Sequence, residues 1–247
     1  MSKHPLERAT MQRACFVFCV GLMLMRPAVG RPADAATPVE SSTLNVQPPK
    51  NAIVLFDGSN LDAWAKQKTK DWEASDGPAA WKILSDGVLE VVPGMNCIIT
   101  KKKFSDFKLH IEFRLLGPKT NGGIFLMTRY ELGINEKFGD AEGTPCGTFE
   151  NVVPAIKPSK IAALPPEQWQ TFDVDFRAPR LGADGKTTEN ARATVKFNGI
   201  LIHDNVELGE RKGASKRLPD VTSAPLMLQE HGTAYQFRNI WIVEQNN

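Results

Sequence analysis

The chain has 247 residues, four cysteines and a formal net charge of +2. Four cysteines in a chain of this length exclude a disulfide-dense miniature scaffold. The weak net charge excludes an electrostatic surface for nucleic acid, and we interpret the short basic runs at residues 101–103 and 211–217 as solvated loops, so no nucleic-acid partner is expected.

The first 35 residues have the pattern of a secretory signal peptide. A charged start (residues 1–13) is followed by an apolar run (residues 14–25) and then by small residues suited to cleavage. The apolar run is shorter than the ~20 residues that span a bilayer, although an uncleaved N-terminal anchor is the alternative. Removal of residues 1–35 takes away five basic and two acidic residues, so the formal net charge falls from +2 to −1. We therefore expect an exported protein, periplasmic or extracellular, with no membrane span after cleavage.

Residues 36–50 are rich in Pro, Ser and Thr and predict a flexible tether. Over residues 51–245, short apolar or alternating runs recur between Gly, Pro, Asn and Asp, which is typical of an all-β sandwich or barrel. In "FKLHIEFRL" (residues 107–115) apolar and polar side chains alternate, as in an antiparallel strand with one buried face. "SDGVL" and "FNGIL" contain the Asp-Gly and Asn-Gly pairs of hairpin turns. One β-sandwich domain over residues 51–245 is predicted.

Several familiar catalytic motifs are absent from the sequence. It has no Gly-rich phosphate loop, Cys-x-x-Cys pair, His-Glu-x-x-His or Gly-x-Ser-x-Gly. The three histidines outside the signal peptide are too scattered to favour a zinc site, and no calcium ligand loop is present, so we predict no metal or cofactor and leave calcium open. The Glu-x-Asp-x-x-Glu arrangement of sandwich glucanases is also absent, so ordinary two-carboxylate glycosidase chemistry is not expected.

Three stretches of the sequence resemble one known family. "IVLFDGSNLDAWA" resembles the opening of that family, "KTNGGIFLMTRYEL" its central segment and "PLMLQEHGTAYQFRNIWI" its end. The family is that of the 3-keto-disaccharide hydrolases, and the resemblance covers residues 51–243. It implies an exported jelly-roll β-sandwich of the concanavalin A-like lectin/glucanase type, acting on glycosides that are oxidised at C3 of a sugar ring.

The reaction that this resemblance implies needs fewer catalytic groups than ordinary glycoside hydrolysis. A ketone at C3 acidifies the C2–H bond, so a base can form an enolate, the C1 substituent can leave by elimination, and water can add later. Such a site needs one base and a stabiliser of the enolate oxygen. The expected binding partner is an oxidised sugar or glycan, and the net reaction is hydrolysis.

The resemblance also implies roles for individual residues. Glu131 is expected to act as the base or to orient the substrate, and Arg129 to bind sugar oxygens or the enolate. His231 is expected to carry a proton or bind a hydroxyl group, for which a near-neutral pKa suits it, and Gln229 to bind substrate beside it. Asn121 is expected at the floor of the pocket. The structural alternatives are a local Arg–Glu pair, a turn histidine bonded to backbone, and an asparagine that only forms a turn.

The sequence departs from the family pattern at two positions of the expected pocket. Gly133 stands where the family commonly has glutamine, and Glu150 stands where tyrosine is expected. The two changes remove an amide and a hydroxyl group, while Glu150 can bind substrate or supply a new acid or base. They motivate one alternative function, a non-catalytic carbohydrate-binding module on the same sandwich. The tether fits another alternative, an envelope interaction module.

Arg238 and Asn239 lie in a stretch that otherwise predicts a buried central strand. An unpaired polar group in such a strand would cost about 1–3 kcal/mol. We therefore expect Arg238 to pair with a carboxylate, either Asp57 or Glu131.

The cysteines and tryptophans leave structural questions open. Cys97 and Cys146 remain after signal cleavage, and they either form one disulfide or stay as free thiols. Trp72 lies in a polar stretch and is the tryptophan expected to be exposed as a sugar platform. The tryptophans expected in the core are Trp64, Trp81, Trp169 and Trp241.

Overall fold

The computed structural model describes residues 43–139 and 142–245. The predicted signal peptide and residues 36–42 of the predicted tether lie outside the described residues. Within the described part of the chain, no helix is long and apolar enough to cross a membrane.

The described chain is built from sixteen β-strands and one short 3-10 helix, η1 (Gly213–Arg217). Most of the strands follow the apolar and alternating runs of the sequence, and turns containing Gly, Asn and Asp separate them, but the polar stretch at residues 71–78, which holds Trp72, also forms a strand. The strands are β1 (Ile53–Phe56), β2 (Trp64–Lys68), β3 (Asp71–Pro78), β4 (Lys82–Ile83), β5 (Leu89–Glu90), β6 (Ile98–Phe104), β7 (Phe107–Leu115), β8 (Asn121–Leu126), β9 (Tyr130–Asn135), β10 (Gln170–Arg177), β11 (Arg180–Leu181), β12 (Thr187–Glu189), β13 (Ala191–Phe197), β14 (Ile200–Leu208), β15 (Ala224–Leu228) and β16 (Tyr235–Glu244).

Two antiparallel sheets form the sandwich. The small sheet has the strand order β3-β2-β6-β15-β8-β9, and the large sheet has the order β14-β13-β10-β7-β16-β5-β4, with β1 also paired to β16. Side chains from both sheets share one hydrophobic core, and β11 and β12 form a separate two-stranded ribbon. The predicted all-β jelly-roll sandwich of the concanavalin A-like lectin/glucanase type is confirmed.

Strand β7 shows how the sequence pattern places residues on the two faces of the large sheet. Phe107, Leu109 and Ile111 point into the core, as their alternation predicts. His110 and Glu112 point to the opposite face, yet both are fully buried. The outer face of the large sheet is therefore covered at this level rather than solvated.

The ring of Trp241 stacks on His110 and forms part of the cover, and residues 45–46, at the end of the predicted flexible tether, form another part. The backbone N–H of Asn45 donates to Oε1 of Glu112 over 2.6 Å. Nδ2 of Asn239 donates to the carbonyl oxygen of Val46 over 3.0 Å. Hydrogen bonds therefore hold this part of the segment on the large sheet.

The prediction that Arg238 pairs with Asp57 or Glu131 is wrong. Nε of Arg238 donates to Oε2 of Glu112 over 2.6 Å, and neither Asp57 nor Glu131 takes part. The reason is strand register, because Arg238 of β16 stands directly opposite Glu112 of β7. Asn239, at φ 45°, donates from Nδ2 to the other oxygen of Glu112 over 2.9 Å.

The burial of the tryptophan side chains differs in part from the prediction. Trp64 and Trp81 are buried in the core, as predicted. Trp169 and Trp241 are half-buried outside the core, and two arginine guanidinium groups lie 4.2 and 4.7 Å from the ring centroid of Trp169. Trp72 is half-buried as well, since its ring packs edge-on against a phenylalanine on the outer face of the small sheet.

Cys97 and Cys146 are both free thiols. Cys146 is buried, and its Sγ lies 3.7 Å from the carbonyl oxygen of Gly133. Cys97 is half-buried, and its Sγ accepts a hydrogen bond from the backbone N–H of Glu230 over 3.4 Å. Of the two alternatives for these cysteines, the structure selects the free thiols.

Candidate active site

The outer face of the small sheet carries an apolar row that ends at a carboxyl group. Ala65, Ile99, Met227 and Phe125 are successive cross-strand neighbours, and Glu131 of β9 stands opposite Phe125. The four apolar side chains form a small buried cluster apart from the main core. The flanking residues of β9 point into the core, so strand alternation places Glu131 on this outer face. Its carboxyl group is thereby partly withdrawn from water.

A pair of glycines beside Glu131 opens a space in the sheet surface. Gly123 of β8 and Gly133 of β9 face each other across the two strands. A Cβ atom at residue 123 would lie 3.1 Å from Oε1 of Glu131 and 3.4 Å from Oε1 of Gln229. A Cβ atom at residue 133 would lie 3.0 Å from Cδ of Glu150 and closer still to its Oε1. The ends of the Glu131, Gln229 and Glu150 side chains therefore lie over Gly123 and Gly133. We call the space above these two glycines the glycine gap.

Hydrogen bonds tie the segment that carries Glu150 to the edge of β9. The backbone N–H of Glu150 donates to the carbonyl oxygen of Glu131 over 3.1 Å. The backbone N–H of Glu131 donates to Oδ1 of Asn151 over 2.8 Å. Because both backbone groups of Glu131 bond to this segment, the backbones that carry the two carboxyl groups are held in a fixed relation.

The electrostatics of the gap favour proton uptake. Burial and, to a smaller extent, the negative charge of Glu150 raise the pKa of Glu131 to about 7, against the opposing positive charge of Lys212. Burial also raises the pKa of Glu150, against the positive charges of Lys212 and His231. Among the described residues, neither carboxyl group has a hydrogen-bond or ion-pair partner. A carboxyl group with a pKa near 7 can take up and release a proton at neutral pH.

Three further polar side chains border the glycine gap. The backbone N–H of Gln229 donates to the carbonyl oxygen of Gly123 over 3.0 Å, and the side-chain Oε1 of Gln229 is buried without a hydrogen-bond partner. Nδ2 of Asn121 lies 3.1 Å from Nδ1 of His231, and both residues are exposed. Across residues 43–139 and 142–245, no three His, Cys, Asp or Glu side chains form a group that could hold a metal ion.

The structure corrects the role expected of Arg129. Its side chain is fully buried, and all five of its N–H donors are used within the protein. Nη2 forms an ion pair with Glu73 over 2.5 Å and also donates to the carbonyl oxygen of Pro219. Nη1 donates to Met127 and Thr128, and Nε donates to Pro219. Arg129 therefore joins the turn before β9 to β3, and it neither reaches the gap nor pairs with the carboxylate two residues later.

Apart from Arg129, the residues that the sequence predicts for the site lie around the glycine gap, but Asn121 is exposed beside His231 and not at the floor of a pocket. The structure adds Gly123, Asn151 and Lys212, which the sequence analysis does not assign. Gly123 carries a sequence signal, because a glycine inside a strand pattern marks a close approach. Lys212 belongs to a basic run interpreted as a solvated loop, and Asn151 carries no sequence signal.

Known proteins resemble the chain in sequence and in fold. A crystal structure of a proposed glycosyl hydrolase from Parabacteroides distasonis has a TM-score of 0.67 and 31% identity, covering 80% of this chain and 85% of that chain. Two further proposed glycosyl hydrolases from the same organism support the fold. One has a TM-score of 0.57 and 17% identity, covering 79% of this chain and 94% of that chain. The other has a TM-score of 0.53 and 20% identity, covering 78% of this chain and 99% of that chain. No curated protein matches the sequence. Residues 51–243 match the 3-keto-alpha-glucoside-1,2-lyase-like domain, and the chain belongs to that family.

Proposed function

We propose that the protein is an exported enzyme that cleaves 3-keto-glycosides and 3-keto-disaccharides, with Glu131 as the base. The observation that carries the proposal is the partly buried, unpaired carboxyl group of Glu131, whose pKa is raised to about 7 beside the glycine gap. Family membership and the 31% identity to a proposed glycosyl hydrolase support action on glycosides. The predicted signal peptide supports a periplasmic or extracellular location.

The proposed reaction begins with proton transfer from the sugar to Glu131. The carboxylate takes the proton from C2, and the electrons of the C2–H bond pass into an enolate at the C3 oxygen. The C1–O bond then breaks as the C1–C2 double bond forms and the C3 ketone returns, and the leaving oxygen accepts a proton. Water adds across the double bond in a second step, so the net reaction consumes one water. A base works best when its pKa is close to the working pH, which suits Glu131 to neutral conditions.

The other groups of the site have supporting roles in this proposal. The amide oxygen of Gln229 accepts a hydrogen bond from a substrate hydroxyl group, and His231, next to Asn121, transfers the proton to the leaving oxygen or binds a hydroxyl group. Glu150 binds a substrate hydroxyl group. Arg129 takes no part, since its donors are already used.

The proposal is tested by incubating the purified protein with a 3-keto-disaccharide and, in parallel, with the unoxidised parent sugar. We expect a monosaccharide or an unsaturated keto-sugar to form from the oxidised compound alone. Glu131→Gln should lower the rate by about 10²–10⁴-fold, the usual contribution of a general base, while circular dichroism shows an unchanged fold. Glu244→Gln is the matched control, because Glu244 is exposed on β16 and pairs with Lys102.

Three results would count against this assignment. Cleavage of both sugars at similar rates would remove the need for an acidic C2–H bond. An unchanged rate in Glu131→Gln would exclude Glu131 as the base. Saturable binding of the sugars without any product would favour the alternative, a non-catalytic carbohydrate-binding module.

A further inference from the structure

The two positions at which the sequence departs from the family pattern meet at one point of the structure. Gly133 replaces the expected glutamine and Glu150 the expected tyrosine, and the carboxyl group of Glu150 lies where a side chain at residue 133 would begin. A Cβ atom there would be 3.0 Å from Cδ and 3.1 Å from Cγ of Glu150, which is closer than nearly all real Cβ contacts. A side chain at 133 and the present position of Glu150 therefore exclude each other.

We propose that Gly133 and Glu150 form a linked exchange, in which the glycine admits the carboxyl group of Glu150 and Glu150 then strengthens Glu131 as a base. In this inference Glu150, besides binding a substrate hydroxyl group, has a second role, because its charge acts on the reaction through Glu131. The assignment rests on the proposed role of Glu131, but its central measurement does not require catalysis.

Geometry supports a direct influence of Glu150 on Glu131. Residues 131 and 133 lie on the same face of β9, about 7 Å apart, as for any two residues separated by one in a strand. The Glu150 carboxyl group over residue 133 is thus held beside Glu131, while the Glu131 carboxyl group leans over Gly123, directly across from Gly133. Two like charges in a partly buried gap disfavour their joint ionisation, so a charge on Glu150 increases the proton affinity of Glu131.

Other titratable groups surround Glu131 and Glu150. Lys212 lies near both carboxyl groups and favours their ionised forms. The other titratable side chains on the neighbouring strands and turns are Cys97, Glu230, His231 and Tyr235. Among the groups of residues 43–139 and 142–245, Glu150 is the one whose negative charge raises the pKa of Glu131, so its removal should have a specific effect.

The linked exchange is tested on the full-length protein by following the carboxyl ¹³C signal of Glu131 with pH, assigned by its loss in Glu131→Gln. Glu150→Gln should lower the pKa of Glu131 by about one pH unit or more, the effect of removing one neighbouring charge in a partly solvated site. Lys212→Gln should move it in the opposite direction. Gly133→Ala should fold, because only the end of the flexible Glu150 side chain must move, and it should lower the pKa of Glu131 by displacing that carboxyl group.

A double substitution tests whether Gly133 and Glu150 change the pKa of Glu131 through the same charge. In the Glu150→Gln background, Gly133→Ala should have no further effect on the Glu131 titration, since the charge that it displaces is already gone. With a 3-keto-disaccharide as substrate, the acidic limb of the kcat/KM profile should move with the Glu131 titration in every variant.

The outcomes separate this inference from the proposed function. An unchanged Glu131 titration in Glu150→Gln overturns the inference, as do additive effects of the two substitutions. If the titration shifts as expected but Glu131→Gln keeps full activity, the electrostatic link stands and the proposed function fails. If Glu131→Gln is inactive but the pKa of Glu131 is the same in the wild type and in Glu150→Gln, the proposed function stands and the electrostatic link fails.

Discussion

Glu112 offers the sharpest test of the energetics of the sandwich. This fully buried carboxylate accepts hydrogen bonds from Arg238 (2.6 Å), the backbone of Asn45 (2.6 Å) and Asn239 (2.9 Å), and Nε2 of His110 lies 3.6 Å away. Burial alone would raise its pKa, but the nearby His110 ring and the hydrogen bonds from Asn239 and Arg238 outweigh burial and lower the pKa from 4.5 to about 2. The substitution Glu112→Gln removes the charge and keeps the shape of the side chain.

The expected loss follows from this pKa difference. A pKa of about 2 in the folded protein, against 4.5 in the unfolded chain, corresponds to about 3 kcal/mol of stabilisation, at 1.36 kcal/mol for each pH unit. Because the folded pKa is the lower one, this stabilisation is fully present above about pH 4.5 and is lost as the pH falls towards 2. Glu112→Gln should therefore lower the free energy of unfolding by about 3 kcal/mol near pH 6, and by progressively less in more acidic buffer.

The assay is urea denaturation at several pH values between 3 and 6, with wild type and variant compared at each. Glu244→Gln is again the control, because exposed ion pairs contribute only about 0–1 kcal/mol. Two results would refute the reasoning. One is a loss in Glu112→Gln no larger than that of the control. The other is a loss that stays constant with pH, which would mean that packing rather than charge makes this residue matter.

Three other substitutions test the packing and the ion pair behind the site. Gly122→Ala should cost about 1–3 kcal/mol in urea denaturation, because a Cβ atom at 122 would lie 2.7 Å from Cε1 of the buried ring of Tyr235 and closer to its hydroxyl end. Gly117→Ala, where a Cβ atom would meet nothing within 4 Å, should be nearly neutral, and equal losses would contradict the argument. Arg129→Met should cost about 1–3 kcal/mol, because Glu73 keeps its ion pair with Lys103 while the carbonyl oxygens of Pro219 and Met127 lose a buried donor, and a negligible loss would show that these bonds are unimportant.

Much of the candidate site could be predicted from short stretches of sequence, and its electrostatics could not. Alternation within "YELGIN" places Glu131 away from the core whatever the neighbouring strands are, because that face depends only on the two-residue period of a strand. The partner of a charged side chain depends instead on register and strand order. Arg129 is adjacent in sequence to the site but bonds to Glu73, which lies 56 residues away. Its expected role was wrong for that reason.

The amino-acid sequence by itself determined the all-β class, the strand pattern and the family to which the domain belongs, since these depend on local periodicity and on motifs. Tertiary structure alone decided that Arg238 meets Glu112, that residues 43–46 bond to the large sheet, and that the Glu150 carboxyl group lies over Gly133. Each of these contacts joins segments that are distant in sequence or separated by a loop. The physical reason is that hydrogen bonds, buried charges and close approaches form only after the sheets have set the distances between their strands.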